Sequence, residues 1–170
     1  IGTTCAYPPP AAPPFTPKHG PRLGSRKQMT APDPTPSSTP LPSGTVTFLF
    51  TDIVGSTSLW EVQREAMHIS LARHDALLRR CILDGGGYVV KTTGDGFHAV
   101  FADASDAIGA AIASQKALHA EPWSQAATIR VRMALHTGAV ELRDGDYFGT
   151  PLNRVARLLA AGHGGQTLLS

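Results

Sequence analysis

Two aspartates, Asp52 and Asp95, have the chemistry and the setting of a metal site. Asp52 ends the apolar run TVTFLFTDI at residues 45–53, and Asp95 stands in the turn Gly94-Asp95-Gly96 between two short predicted strands. If these strands are neighbours in one sheet, the two carboxylates meet at one edge. Carboxylates that converge without histidine suit Mg²⁺ or Mn²⁺. Substrate phosphates often supply the remaining oxygen ligands of such an ion. Two structural alternatives stay open: a helix cap for Asp52 and a hairpin turn for Asp95.

A Gly-Ser-Thr turn follows Asp52 and precedes a predicted helix. The first N–H groups of a helix lack intrahelical partners and carry the positive end of the dipole, so they can hold a polyphosphate. The glycine lets a phosphate approach the backbone closely. The turn is not a Walker loop, because G-x-x-x-x-G-K-[ST] is absent. We expect phosphate contacts from four residues: Val54, Gly55, Ser56 and Thr57.

Four further polar residues, Lys91, Asp146, Asn153 and Arg157, have the donors and acceptors to bind a nucleotide. A lysine and an aspartate together can read N1 and the 6-amino group of adenine. An asparagine can fix a ribose, and an arginine can hold a phosphate through its planar fork. Asn153 and Arg157 are four residues apart, which puts them on one helix face. The alternatives are a solvated helix charge for Arg157 and an edge-strand residue for Lys91.

The elements that must position these residues follow the order β-α-α-β-β-α-β-α-β. Hydrophobic periodicity and turn residues give their positions: a strand at 45–53, helices at 56–86 with a break near 66–68, two strands within 88–102, a helix at 103–121, a strand at 128–142 followed by the turn DGDY, a helix at 150–162 and a strand beginning at 164. This order predicts an α+β fold, a ferredoxin-like mixed sheet with helices packed on it. The last strand is cut off at Ser170, so we expect a C-terminally truncated fragment.

The amino-acid composition divides the chain into a proline-rich leader and a folded domain. Residues 1–43 hold 12 of the 14 prolines and predict a disordered or polyproline-like leader, with Met29 as a candidate native start. The leader has a net charge of +3 and residues 44–170 have −1, which argues against a nucleic-acid surface. No apolar run reaches the roughly 18 residues of a membrane helix. Two cysteines without disulfide or metal spacing favour a reduced, cytoplasmic setting.

Residues 44–170 resemble the catalytic domain of the class III nucleotidyl cyclases, the adenylate and guanylate cyclases. The matching segments are FLFTDIVGST, GGYVVKTTGDGFHAVF, VRMALHTGAVELRDGDYFGTPLNRVARL and GGQTLLS. The motif variants FTDIVGST and KTTGDGF resemble those of a bacterial branch of the family, in which ATPase or regulatory domains follow the cyclase domain. One departure is His98, which stands where an apolar residue is more usual; a strand-surface histidine is the simplest interpretation.

The resemblance implies an adenylate cyclase that converts ATP to 3′,5′-cyclic AMP and pyrophosphate. It implies that two Mg²⁺ or Mn²⁺ ions bind at Asp52, Ile53 and Asp95, and that Lys91 and Asp146 select adenine. It further implies that Asn153 orients the ribose and that Arg157 stabilises charge at the α-phosphate. In the family the site residues come from two protomers, so a head-to-tail homodimer with two shared sites is expected.

Other functions remain possible from the sequence. A catalytically silent domain that senses ATP and regulates a neighbouring domain would keep the same residues. Guanylate cyclase activity is the closest alternative within the enzyme class, and the residue types of Lys91 and Asp146 argue against it. A diguanylate cyclase is disfavoured because LDGGGYVV lacks the Gly-Gly-Asp/Glu-Glu-Phe signature.

Overall fold

The structure, a computed structural model, describes residues 40–170. Most of the predicted leader therefore lies outside the described residues. Two of its last residues contact the domain, since Leu41 packs on the core and the Tyr147 hydroxyl donates to the Pro42 carbonyl. Within the described residues, no helix is both long enough and apolar enough to cross a bilayer.

Apart from one additional short strand at Asp146–Phe148, the elements follow the predicted order and form one mixed sheet, which confirms the α+β fold class. Their bounds are β1 Gly44–Ile53, α1 Ser56–Val62, α2 Arg64–Asp84, β2 Tyr88–Thr93, β3 Gly96–Phe101, α3 Ala104–Ala120, β4 Val131–Arg143, β5 Asp146–Phe148, α4 Thr150–Ala160 and β6 Thr167–Leu169. The strand order is β2-β3-β1-β4-β5 with antiparallel neighbours, and β6 pairs in parallel with β4. The central strands β1 and β4 are thus held on both sides.

Two local predictions need correction. The break in the first helical segment falls at Gln63, where φ is −133°, and not near residues 66–68. α2 runs through residues 66–68 without interruption. The predicted turn DGDY is shorter than expected, because Asp146 and Tyr147 already belong to β5.

Alternation along β1 buries both faces of the sheet, as the apolar run predicted. Leu49 and Ile53 face a core formed with α2 and α3, in which Leu78 and Ile82 are fully buried. On the other face, Phe48 belongs to a second core that α4 and β5 complete. Complete burial of one such side chain stabilises the fold by about 1.5–3 kcal/mol. Because the core holds β1 from both sides, the strand end that carries Asp52 is fixed.

The β4–β5 hairpin folds back over the face of the sheet that α4 covers. Tyr147 on β5 is buried, and its ring packs edge-on against Phe48 with centroids 5.4 Å apart. The turn at Asp144-Gly145 has positive φ at both residues, 50° and 78°, as a tight hairpin requires. This arm brings β5 close to β2, although the two strands lie at opposite ends of the strand order.

Candidate active site

Asp52 lies at the end of β1 and is bound by Arg132 of β4. The two residues are direct partners in the β1–β4 register. Arg132 Nε and Nη2 both donate to Asp52 Oδ2, at 2.9 and 2.6 Å. The cap position of α1 is Gly55, with φ 75° and no side-chain hydrogen bond. Within the described residues Asp52 therefore does not cap a helix.

Asp95 lies in the β2–β3 turn, and the register brings it to the same end of the sheet as Asp52. Phe50 is paired with His98 in the antiparallel β1–β3 ladder, so continuing that register sets Asp52 opposite Gly96. A Cβ on Gly96 would meet the Thr51 carbonyl at 2.5 Å, which shows how closely the turn approaches β1. The predicted convergence of the two acids at one sheet edge thus follows from the strand pairing.

The surroundings of Asp95 fit a cation. Its Oδ2 is buried and has no hydrogen-bond partner among the described residues. A buried carboxylate oxygen is costly unless something compensates its charge. In the part of the chain that the structure describes, no group of three or more histidine, cysteine, aspartate or glutamate side chains converges. Two carboxylates alone suit a hard cation that takes its other oxygen ligands from water and substrate phosphates.

The turn after Asp52 retains only part of its predicted phosphate-binding capacity. The Val54 N–H donates to the Arg130 carbonyl at 2.9 Å, so Val54 has no free backbone donor. The N–H groups of Gly55, Ser56 and Thr57 precede or begin α1, where intrahelical partners are absent. Three of the four predicted donors therefore remain suited to an anion.

Lys91 and Asp146 are brought together across the folded-back β4–β5 hairpin. Lys91 Nζ donates to Asp146 Oδ2 at 2.7 Å, and both side chains are about two-fifths exposed. The hydrogen bond from Lys91, with a second from the Tyr147 N–H to Oδ1, lowers the pKa of Asp146. The carboxylate is therefore charged and accepts hydrogen bonds at neutral pH. A β-bulge after Val89 sets the register of Lys91 against His98.

His98 is part of this cluster and not a simple strand-surface residue. Its ring stacks on Phe50 with centroids 3.7 Å apart and planes 2° from parallel. Burial, and then the Lys91 cation, lower the pKa of His98. The ring is therefore neutral at pH 7. Its Nδ1 is buried and has no hydrogen-bond partner in residues 40–170. Phe50, Lys91, His98 and Asp146 together line a shallow pocket.

Asn153 and Arg157 lie one turn apart on α4, as their spacing predicted. Pro151 and Val155 on the same helix are buried, whereas Asn153 and Arg157 are exposed. Neither side chain makes a hydrogen bond or ion pair with another predicted site residue of the described chain. Within one protomer, the structure therefore does not bring Asn153 and Arg157 into hydrogen-bond contact with Asp52 or Asp95.

Sequence reasoning missed Arg132 and the setting of His74. Arg132 lies on a strand that alternates apolar and polar residues, where an arginine looks like any surface residue; only the register reveals its partner. His74 lies on α2 and is fully buried against Phe97. Burial lowers the pKa of His74 although Asp75 and Asp95 oppose this shift, so the buried ring is neutral at pH 7.

The sequence comparisons with known proteins agree on one protein family. The family model "Adenylate and Guanylate cyclase catalytic domain" matches residues 39–170. An uncharacterized protein of Mycobacterium tuberculosis is 42% identical over 131 residues, which cover 76% of this chain and 44% of the relative. An adenylate cyclase of Podospora anserina is 34% identical over 156 residues, covering 77% of this chain and 7% of the fungal protein. The chain thus spans less than half of the curated relatives it matches.

A structural comparison agrees with the sequence comparisons. The Trypanosoma brucei adenylate cyclase structures, solved in their monomeric state, include one that superimposes with a TM-score of 0.73. That structure is 26% identical in sequence, and the match covers 78% of this chain and 74% of the trypanosome chain.

Proposed function

Because the chain belongs to the adenylate and guanylate cyclase catalytic domain family, we propose that it is an adenylate cyclase that forms 3′,5′-cyclic AMP and pyrophosphate from ATP. The family membership confirms the resemblance noted in the sequence. The observation that carries the choice of ATP is the Lys91–Asp146 pair, which is held at 2.7 Å and stays open to solvent. We further propose a cytoplasmic location, and regulatory or ATPase domains elsewhere in the full-length protein.

The Lys91–Asp146 pair is complementary to adenine. The Lys91 ammonium is a donor for the N1 acceptor of adenine, and the Asp146 carboxylate accepts from its 6-amino group. Guanine presents the opposite pattern, an N1–H donor and an O6 acceptor. With guanine, the Lys91 donor would face the N1–H donor and the Asp146 acceptor would face the O6 acceptor. Polar groups left unpaired in this way are costly in a binding site. The lowered pKa of Asp146 keeps its carboxylate in the accepting form.

Asp52 and Asp95 would hold the divalent cations, together with Ile53, which follows Asp52 in the chain. Bound Mg²⁺ or Mn²⁺ supplies Lewis-acid activation of the ribose 3′-hydroxyl and neutralisation of the phosphates. The unpartnered Asp95 Oδ2 supports this assignment. The N–H groups of Gly55, Ser56 and Thr57 then lie next to Asp52 in the chain, where they can bind the phosphates and orient the leaving pyrophosphate.

Asn153 and Arg157 would complete the site across a homodimer. Arg157 offers a planar fork that offsets negative charge as the 3′-hydroxyl attacks the α-phosphorus, and Asn153 can hold the ribose. Both side chains are exposed, and within residues 40–170 neither forms a hydrogen bond with Asp52 or Asp95. A second copy, arranged head to tail, would supply them to the first copy's metal site, so each dimer would contain two shared sites.

Mixing two inactive variants tests this arrangement. We expect Asp95→Asn and Arg157→Ala to be inactive separately and active when combined. In the mixed dimer one site carries both defects and the other carries neither. With random pairing, the mixture recovers about one quarter of the wild-type cyclic AMP rate. The rate is measured after the two proteins are mixed at equal concentration with ATP and Mn²⁺.

A mixture that stays as inactive as its components would contradict shared sites. The control is a mixture of Asp95→Asn with Asp52→Asn, because both defects then fall on the same half of the site. That pair is expected to recover no activity.

A further inference from the structure

We propose that Thr51 is a positioning residue whose hydroxyl fastens the β2–β3 turn to the end of β1 and so sets the separation of Asp52 and Asp95. This inference rests on the proposed metal site and adds to it a residue that contacts neither cation nor substrate. Thr51 directly precedes Asp52, and its hydrogen-bond partner Phe97 follows Asp95 by two residues. One hydrogen bond therefore joins the two segments that carry the acids.

The Thr51 hydroxyl acts where the backbone ladder between β1 and β3 ends. The last pair of that ladder is Phe50 with His98. At the next position the Phe97 N–H donates to Thr51 Oγ1 at 3.0 Å, so a side chain takes the place of a backbone acceptor. The turn itself is close to the strand, because a Cβ on Gly96 would meet the Thr51 carbonyl at 2.5 Å. The hydroxyl thus extends the pairing of the two strands by one residue toward the turn.

Burial makes this hydrogen bond difficult to replace. Thr51 is 2% exposed and Phe97 is 1% exposed, so water has little access to the Phe97 N–H. A buried N–H that loses its acceptor retains the full cost of its desolvation. The Phe97 ring is held from the α2 side by His74, which packs edge-on with ring centroids 5.9 Å apart. Without the hydroxyl, the N–H stays unsatisfied unless the backbone near Asp95 shifts.

Such a shift would weaken a cation site although both carboxylates remain. Mg²⁺ requires near-octahedral oxygen ligands at about 2.0–2.1 Å, and a working site holds its ligands to within about 0.5 Å. Residues that support metal ligands from outside the site typically cost about 10- to 100-fold in metal affinity when they are removed. The separation of Asp52 and Asp95 is therefore the quantity through which Thr51 acts.

The test measures Mn²⁺ binding to the full chain, with Mn²⁺ alone as the probe, from the electron paramagnetic resonance signal of the free ion. Thr51→Val keeps the branched shape and removes the acceptor, and we expect it to weaken binding about tenfold. Thr51→Ser keeps the hydroxyl, and we expect its affinity to stay within about twofold of wild type. Urea unfolding checks that the variants fold, and Thr51→Ala replaces Thr51→Val if that variant does not.

Thr47→Val is the matched control for a general loss of stability. Thr47 is 3% exposed and lies on the same strand, about 13 Å from Thr51 along β1, and its hydroxyl is 2.9 Å from the Thr137 hydroxyl. We expect Thr47→Val to lower the urea midpoint and to bind Mn²⁺ within about twofold of wild type. An equal loss of Mn²⁺ affinity in Thr47→Val and Thr51→Val would overturn the positioning role.

Turnover gives a second readout. The Mn²⁺ concentration for half-maximal activity should rise in Thr51→Val, while the KM for ATP at saturating Mn²⁺ stays within about twofold. Wild-type Mn²⁺ affinity in Thr51→Val, or a loss in Thr51→Ser as large as in Thr51→Val, would overturn the positioning role alone. If Asp95→Asn bound Mn²⁺ as wild type does, the metal site and the positioning role would both be overturned.

Discussion

Replacing Asp95 by asparagine is expected to lower cyclic AMP formation from ATP by about 1,000-fold or more at saturating Mn²⁺, because cation-assisted charge stabilisation is worth several kcal/mol. Asparagine has nearly the same shape, so the turn is retained while the charge is lost. The affected oxygen, Oδ2, is buried and has no hydrogen-bond partner in the described chain, so the substitution breaks no hydrogen bond of this oxygen. The measurement is the initial rate of cyclic AMP release.

The chain contains a matched control for this variant. Asp144 also precedes a glycine in a hairpin turn, is exposed, and has φ 50°, which asparagine adopts readily. Asp144→Asn is expected to leave the rate within about twofold of wild type, in line with other surface substitutions. The stability of Asp95→Asn should equal or exceed that of wild type, because an uncompensated buried charge is removed. An active Asp95→Asn protein would rule out the two-metal assignment.

The double variant Lys91→Glu, Asp146→Cys is expected to shift the preference from ATP to GTP. The glutamate accepts from the guanine N1–H, and the thiol is a weak donor to O6, so the hydrogen-bonding pattern of the pair is inverted. Each mismatched polar contact in a base site costs about 1–3 kcal/mol. We therefore expect the ratio of kcat/KM for ATP to that for GTP to fall by about 100-fold or more. Both nucleotides are assayed with the same preparation.

The control for the double variant is the ion pair between Arg80 and Asp84 on α2, which is exposed and has a separation of 3.4 Å. The matching substitution, Arg80→Glu with Asp84→Cys, changes charge in the same way at a helix that does not line the Lys91 pocket. It should leave the preference for ATP unchanged. Retention of the ATP preference in Lys91→Glu, Asp146→Cys would show that the pair does not read the base.

Much of the fold could be predicted because its signals are local. The apolar run of β1 and the Asp-Gly hairpin after β2 each depend on a few neighbouring residues. The start of α3 is equally local, since the Asp103 side chain accepts from the Ser105 N–H at 2.9 Å. The meeting of Asp52 and Asp95 then followed from placing those strands side by side. The helix break at Gln63 was missed since no glycine or proline marks it.

The rest depends on contacts between residues far apart in sequence. Arg132 was missed because its contact with Asp52 comes from the strand register and not from its own neighbours. The Lys91–Asp146 contact spans 55 residues and depends on a hairpin that folds back to bury Tyr147. The loss of Val54 as a phosphate donor likewise depends on a distant acceptor, the Arg130 carbonyl. Chemical complementarity suggested the Lys91–Asp146 pair, and the tertiary contacts explain how it forms.

The most direct test of the proposed function is the fate of labelled ATP. The purified chain is incubated with ATP labelled at the α-phosphorus and with Mn²⁺, and the products are separated. An adenylate cyclase site yields labelled 3′,5′-cyclic AMP together with equimolar pyrophosphate, and it yields far less cyclic GMP from GTP. Tight binding of ATP without cyclic product in the dimeric protein would contradict the account and would identify the domain as an ATP sensor.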